Sequence, residues 1–140
     1  MKRYLLDTHI ILWIAENPSS FFPNDTTNAL KDAQAMKFVS IVSAWEVAIK
    51  LATKKLRLDG GLTEFYRIVD ANKFTMLPIR KEYLDIIVDL PQAHKDPFDR
   101  LLVATAIEED MTIITADENI HKYNVNWIWH NPINQQEMPK

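Results

Sequence analysis

The sequence predicts an α/β fold built on a mostly parallel sheet with helices over both faces. Three observations predict it. Short apolar runs of strand length recur at residues 4–6, 38–42 and 111–115. Each is apolar nearly throughout, as strands buried on both faces are. Between them lie longer stretches whose apolar residues fall at helical spacing, the signature of βαβ units.

Taken in order, Tyr4, Leu5 and Leu6 form the first strand, which stops at Asp7. Residues 8–16 read as a helix that ends at Asn17-Pro18, because a residue before proline avoids the helical region. Residues 19–25 read as a loop. Leu30, Ala33 and Met36 mark an amphipathic helix over 27–36, and 38–42 is the second strand. Ala44, Val47, Ala48, Leu51 and Ala52 then occupy one face of a helix. Gly60-Gly61 breaks the chain before a helix carrying Leu62, Phe65, Tyr66 and Val69. Residues 76–79 suggest a short strand, against which the proline inside it counts. Tyr83, Ile86, Ile87 and Leu90 mark a helix closed by Pro91. Residues 97–109 form a helix that is apolar on nearly every side up to Ile107, hence central. Residues 111–115 give a further strand and 127–129 a last one. A single domain over residues 1–130 and a polar tail over 131–140 account for the chain.

Composition narrows the chemistry. A chain of 140 residues fits one domain and can bury a core without a staple. Sixteen basic and nineteen acidic residues leave a net charge of −3, so any nucleic-acid contact must be a local basic patch on a mildly acidic body. The absence of cysteine excludes disulfides, thiolate zinc sites and cysteine nucleophiles. With two adjacent glycines only, the chain holds no P-loop, dinucleotide-binding turn or serine nucleophile elbow. No apolar run is long enough to span a membrane. The basic-then-apolar amino end is interrupted by Asp7 and His9, so it reads as strand and helix rather than a signal peptide, and the cytoplasm is the expected address.

Four acids sit at strand ends or helix starts. Asp7 ends the first strand, Glu46 falls in the first turn of the helix after the second strand, and Asp99 lies early in the central helix with Asp96 close by. Asp117 follows the strand at 111–115. In open parallel sheets such places gather at the carboxyl edge, where ligands bind. Each acid also has a structural reading. Ser43 to Glu46 has the form of a capping box, and Glu46 can pair with Lys50. Asp96-Pro97 suits a helix start, and Asp7 and Asp117 suit N-caps. Together the acids pose a sharper problem. Two unit charges at ~4 Å repel by roughly 4 kcal/mol at an effective dielectric of 20. A shared cleft must therefore bind protons or hold a cation. Oxygen ligands suit Mg²⁺ or Mn²⁺, ions that can activate water and steady charge on a phosphate.

Four segments carry a resemblance over residues 4–129: LLDTHIILW at 5–13, SAWEVAIK at 43–50, HKDPFDRLLVATA at 94–106 and IITAD at 113–117. In this order and spacing they resemble the PIN-domain ribonucleases and, within them, the VapC-type toxins of bacterial toxin–antitoxin pairs. The resemblance implies a three-layer α/β/α sandwich, Mg²⁺ or Mn²⁺ in the cleft, and hydrolysis of RNA phosphodiesters. It further implies a cognate antitoxin partner and homodimers. It maps the family's acids on Asp7, Glu46, Asp99 and Asp117, with Asp96 as an extra acid that is either ligand or helix cap. Asp7, Asp99 and Asp117 would hold the ion, and Glu46 would orient or deprotonate the attacking water.

Other residues carry weaker signals. Lys50 and Lys54 share a helix side with Glu46 and offer a phosphate track, or simply a solvated face. Arg100 offers a phosphate contact or a partner for a neighbouring carboxylate. Thr115 offers a hydrogen bond to a phosphate or a carboxylate. His9 and His94 flank the acid segments and read first as solvated or capping histidines. Phe21, Phe22 and Pro23 offer an apolar partner surface if exposed, and a core element if buried. The rival readings are a PIN-like RNA- or protein-binding module that does not cut, a 5′-nuclease-like DNA enzyme, for which the chain is short, and an aspartyl phosphatase, whose DxD spacing His9 breaks.

Overall fold

A five-stranded sheet carries the molecule. The computed structural model describes residues 1–92 and 94–130, and the tail read at 131–140 lies outside them. The strands are β1 (Arg3–Leu6), β2 (Met36–Ser40), β3 (Thr75–Leu77), β4 (Thr112–Ile114) and β5 (Trp127–Ile128). Their order is β3-β2-β1-β4-β5, and every pairing is parallel. The helices are α1 (Thr8–Glu16), α2 (Asn24–Lys31), α3 (Ile41–Ala52), α4 (Gly61–Ala71), α5 (Lys81–Asp89), α6 (Pro97–Glu109) and α7 (Glu118–His121).

Side-chain alternation sorts these helices into two outer layers. On β1, Tyr4 and Leu6 face one core and Leu5 the other. On β2, Val39 and Phe38 divide the same way, as do Ile114 and Ile113 on β4. The first core takes Ile10 and Ile11 of α1, Ala29 of α2 and Phe65, Ile68 and Val69 of α4. The second takes Tyr83 of α5, residues 101–104 and Ala106 of α6, and Ile120 of α7. Helix α3 bridges the layers, with Val42 in the second core and Ala44 and Val47 in the first. The result is the three-layer α/β/α sandwich that the resemblance implied.

Some boundaries differ from the sequence expectation for a physical reason. The second strand runs two residues earlier than residues 38–42. Pairing with β1 fixes it: Met36 stands opposite Arg3, and the Met36 N–H donates to the Lys2 carbonyl at 2.9 Å. The hydroxyl of Ser40 then accepts from the Val42 N–H at 3.1 Å, so the chain turns into α3 at once and the β-branched Ile41 and Val42 become helical. The helix expected over 27–36 is α2, earlier and shorter, because Met36 belongs to the strand. The segment at 19–25 holds a 3-10 turn, Ser19–Phe21, and its last two residues already belong to α2. Pro78 falls just beyond β3, so its missing N–H removes nothing from the ladder. Gly60 has φ +87°, a left-handed conformation that lets the chain enter α4 directly. No helix among the described residues is long and apolar enough to cross a membrane.

Leu5 lies fully buried in the central strand. Leu5→Ala is expected to lower unfolding free energy by about 2–5 kcal/mol through lost transfer energy and a residual cavity. Urea denaturation followed by circular dichroism measures it. A loss below 1 kcal/mol would contradict this packing.

Candidate active site

The sheet order reverses at β1, with β2 on one side and β4 on the other. This is the topological switch point, where open α/β sheets leave a crevice beyond their carboxyl ends. Asp7 is the first residue past β1. Its N–H continues the ladder by donating to the Ile114 carbonyl at 3.0 Å. Its position and dihedrals are those of the α1 N-cap, yet its carboxylate makes no capping bond. Instead Oδ2 accepts from the Thr115 hydroxyl at 2.8 Å, and the residue is 4% exposed. Thr115 Oγ1 in turn accepts from the Asp117 N–H at 3.0 Å. One side chain thus ties the ends of β1 and β4 together. Asp117 caps α7, its Oδ1 accepting from the Asn119 N–H at 2.9 Å.

Glu46 arrives by a different route from the one expected. Since Ser40 is the cap of α3, Ser43 and Glu46 form no capping box, and Glu46 lies in the second turn, buried. Thr8 donates to Glu46 Oε1 at 2.8 Å and shares a 2.8 Å contact with the Ser43 hydroxyl. Lys50 Nζ pairs with the second oxygen, Oε2, at 3.0 Å, the i+4 pair that the spacing predicts. Asp99 stands in the first turn of α6, 8% exposed. Its Oδ2 lies 2.9 Å from His94 Nε2. Asp96 acts as the cap of α6, with Oδ1 accepting from the Phe98 and Asp99 N–H groups at 2.8 and 3.2 Å.

The acids feel one another. Burial pushes the Asp7 carboxyl above its ordinary range against the opposing pull of Thr115 and His9, and Glu46 and Asp117 push it further. Asp99 is pushed up to about 8, first by burial and then by the charges of Asp7, Asp96, Asp117 and Glu46. A site that holds protons this tightly is a site short of positive charge. His94, Asp99 and Asp117 can each present one ligand atom with all three within 4.8 Å of one another. Asp7 is not one of these three; its carboxylate, free of any capping duty, acts on Asp99 through its charge. Oxygen-rich donors with uncompensated charge fit a divalent cation of the Mg²⁺ or Mn²⁺ kind.

The weaker signals divide. Among the described residues Arg100 pairs with no carboxylate. It is 7% exposed, and its guanidinium donates to the carbonyls of Ile87, Leu90, Pro91 and His94 and to the Tyr123 hydroxyl. Lys54 is exposed, but it lies beyond α3 with φ +59°, so it does not continue the helix side of Glu46 and Lys50. His9 is exposed and tilts against Trp13, with centroids 5.7 Å apart. Phe22 and Pro23 are buried. Phe21 packs with Trp13 and Trp129 in an aromatic cluster beneath α1 rather than offering a free surface. His94 is the site residue that sequence reasoning set aside. Its signal was proximity to Asp99 in the HKDPFD segment.

The profile of the PIN domain family matches residues 4–126. No curated protein matches the sequence significantly. Among solved structures, VapBC2 from Rickettsia felis, bound to a DNA fragment from its promoter, is similar with a TM-score of 0.69 at 14% identity, covering 91% of this chain and 99% of that one. VapBC-1 from nontypeable Haemophilus influenzae gives 0.67 at 13% identity over 90% and 96%. FitAcB from Neisseria gonorrhoeae gives 0.59 at 18% identity over 89% and 96%.

The raised carboxyl of Asp99 sets a sign. The folded, metal-free chain binds more protons than the unfolded chain between the ordinary carboxylate range and pH about 8, so this group lowers stability as pH rises through that window. Between pH 6.5 and 8.5 the melting temperature of the chelator-treated protein is expected to fall. Asp99→Asn is expected to flatten that slope, and added Mn²⁺ to raise the melting temperature more at pH 8.5 than at 6.5. Identical slopes for both proteins would contradict the crowding of charge at Asp99.

Proposed function

Because the chain belongs to the PIN-domain family, we propose that it is a metal-dependent endoribonuclease and the toxin of a toxin–antitoxin pair. What supports this reading is the mutual charge repulsion among Asp7, Glu46, Asp99 and Asp117 beside the sheet's switch point, where ligand atoms of His94, Asp99 and Asp117 lie within 4.8 Å of one another. Asp7, Asp99 and Asp117 would hold the ion, with Asp96 keeping Asp99 in place by capping its helix. When bound, Mg²⁺ or Mn²⁺ supplies Lewis acidity and the counter-charge that lets a polyanion enter an acidic cleft. Glu46, oriented through one oxygen by Thr8 and through the other by Lys50, positions the water that attacks phosphorus in line. Thr115 holds Asp7 in its ligating direction. Lys50, beside Glu46 and partly exposed, is the cation nearest the site for an approaching RNA backbone, and Lys54, exposed but off that helix side, is the weaker candidate.

The partner readings rest on two observations. Several neighbours in fold are toxin–antitoxin complexes, which supports a cognate antitoxin for this chain. Ile41, Trp45 and Ile49 form an exposed apolar stripe along α3, with Leu84 and Val88 exposed on α5. Both helices pack on α6, and Trp45 meets Phe98 edge-on at 5.2 Å. Such a surface suits a homodimer.

Cleavage of a single-stranded RNA is expected to stop in chelator and return with Mn²⁺ or Mg²⁺. Asp7→Asn and Glu46→Gln are each expected to lower the rate at least about 100-fold while the fold is retained. Full activity in chelator, or in both variants, would overturn the nuclease reading. Light scattering is expected to give twice 16.3 kDa for the wild type and a monomer for a Trp45→Glu, Val88→Glu double variant. A wild-type monomer at micromolar concentration would remove the dimer.

A further inference from the structure

The nitrogen in the acid cluster sets this site apart from an all-oxygen cage. His94 Nε2 stands 2.9 Å from Asp99 Oδ2, and one ligand atom from each of His94, Asp99 and Asp117 lies within 4.8 Å of the others. On a six-coordinate ion with bonds of about 2.1 Å, adjacent ligand atoms stand about 3 Å apart. The imidazole and the carboxylate therefore already hold the separation of two neighbouring ligands. A cation could replace the proton between them with little movement of either side chain.

His94 is also held in place. Its carbonyl accepts from Arg100 Nη1 at 3.3 Å and from the Tyr123 hydroxyl at 3.1 Å. Arg100 and Tyr123 are buried, and the Arg100 Nη1–Tyr123 Oη contact is 3.1 Å. Arg100 further anchors the chain before His94 through the carbonyls of Ile87, Leu90 and Pro91. A solvated surface histidine needs no such support. These bonds fix the backbone from which the imidazole reaches Asp99.

We infer that His94 is a nitrogen ligand of the metal site, with Asp99 and Asp117, and that it tilts the site toward Mn²⁺ over Mg²⁺. The inference rests on the metal-dependent reading above and specifies its ligand set. Carboxylates serve both ions, whereas an imidazole contributes to transition-metal binding and adds little for Mg²⁺, which prefers oxygen. The ring has one nitrogen at the cluster, and 22% exposure of the side chain leaves it accessible from the cleft.

The test uses the whole chain loaded with Mn²⁺ alone. Electron spin echo spectroscopy is expected to show ¹⁴N modulation in the wild type, its loss in His94→Gln, and its retention in the control His9→Gln. Calorimetry is expected to show Mn²⁺ affinity falling about tenfold in His94→Gln, with Mg²⁺ affinity changing less than about threefold. Mn²⁺ binding without nitrogen modulation in the wild type overturns the inference and leaves the acid-cluster reading standing. Modulation that survives in His94→Gln and vanishes in His9→Gln assigns the nitrogen to His9 and overturns it as well. Binding of neither ion by the wild type overturns both readings, and the wild-type spectrum needs no variant to fold.

Discussion

Carboxylates drawn to one edge of a parallel sheet repel one another, and the arrangement of the site follows from containing that repulsion. The architecture creates the problem. Parallel strands all end on the same side, so the acids after β1 and β4 and those on α3 and α6 converge. Each acid has a local restraint: the Thr115 hydroxyl at Asp7, Thr8 and Lys50 at Glu46, the His94 ring at Asp99, and the α7 amide at Asp117. None of these removes the shortage of positive charge, because Asp7 and Asp99 still hold protons above the ordinary carboxylate range. The two apolar cores on either side of the sheet must offset the cost of gathering the acids. Leu5, Leu6, Ile113 and Ile114, all fully buried in those cores, are on the strands that deliver Asp7 and Thr115.

Much of the fold was legible because the strands are buried on both faces and the helices have one apolar face. The extent of α1 and α6 could be read from Pro18 and from Asp96-Pro97, where local chemistry decides the boundary. The start of α3 could not. Ser40 and Ser43 are both good caps by residue type, and the choice between them is made by pairing of Met36 with Arg3, thirty-three positions away. Once β1 sets the register of β2, Ser40 becomes the strand's end, and Glu46 moves from the first helical turn to the second.

Arg100 and His94 show a second limit. A charged residue beside Asp99 invites an electrostatic reading, with a phosphate or a carboxylate as partner. The partners are backbone carbonyls at the end of α5 and in the loop before α6. Carbonyls carry no signature in a sequence, since every residue has one. The placement of His94 depends on that hidden network, so its proximity to the acids emerges only after the loop is built.

The sheet's outer strands have a consequence for how copies of this molecule meet. At three residues in β3 and two in β5, they present few open backbone groups to a neighbour. Extension of the sheet from one molecule into the next therefore has little template, a safeguard against fibrous growth. An interface between copies would have to be built from side chains on helices, where shape and charge, rather than a repeating ladder, determine which faces recognise each other.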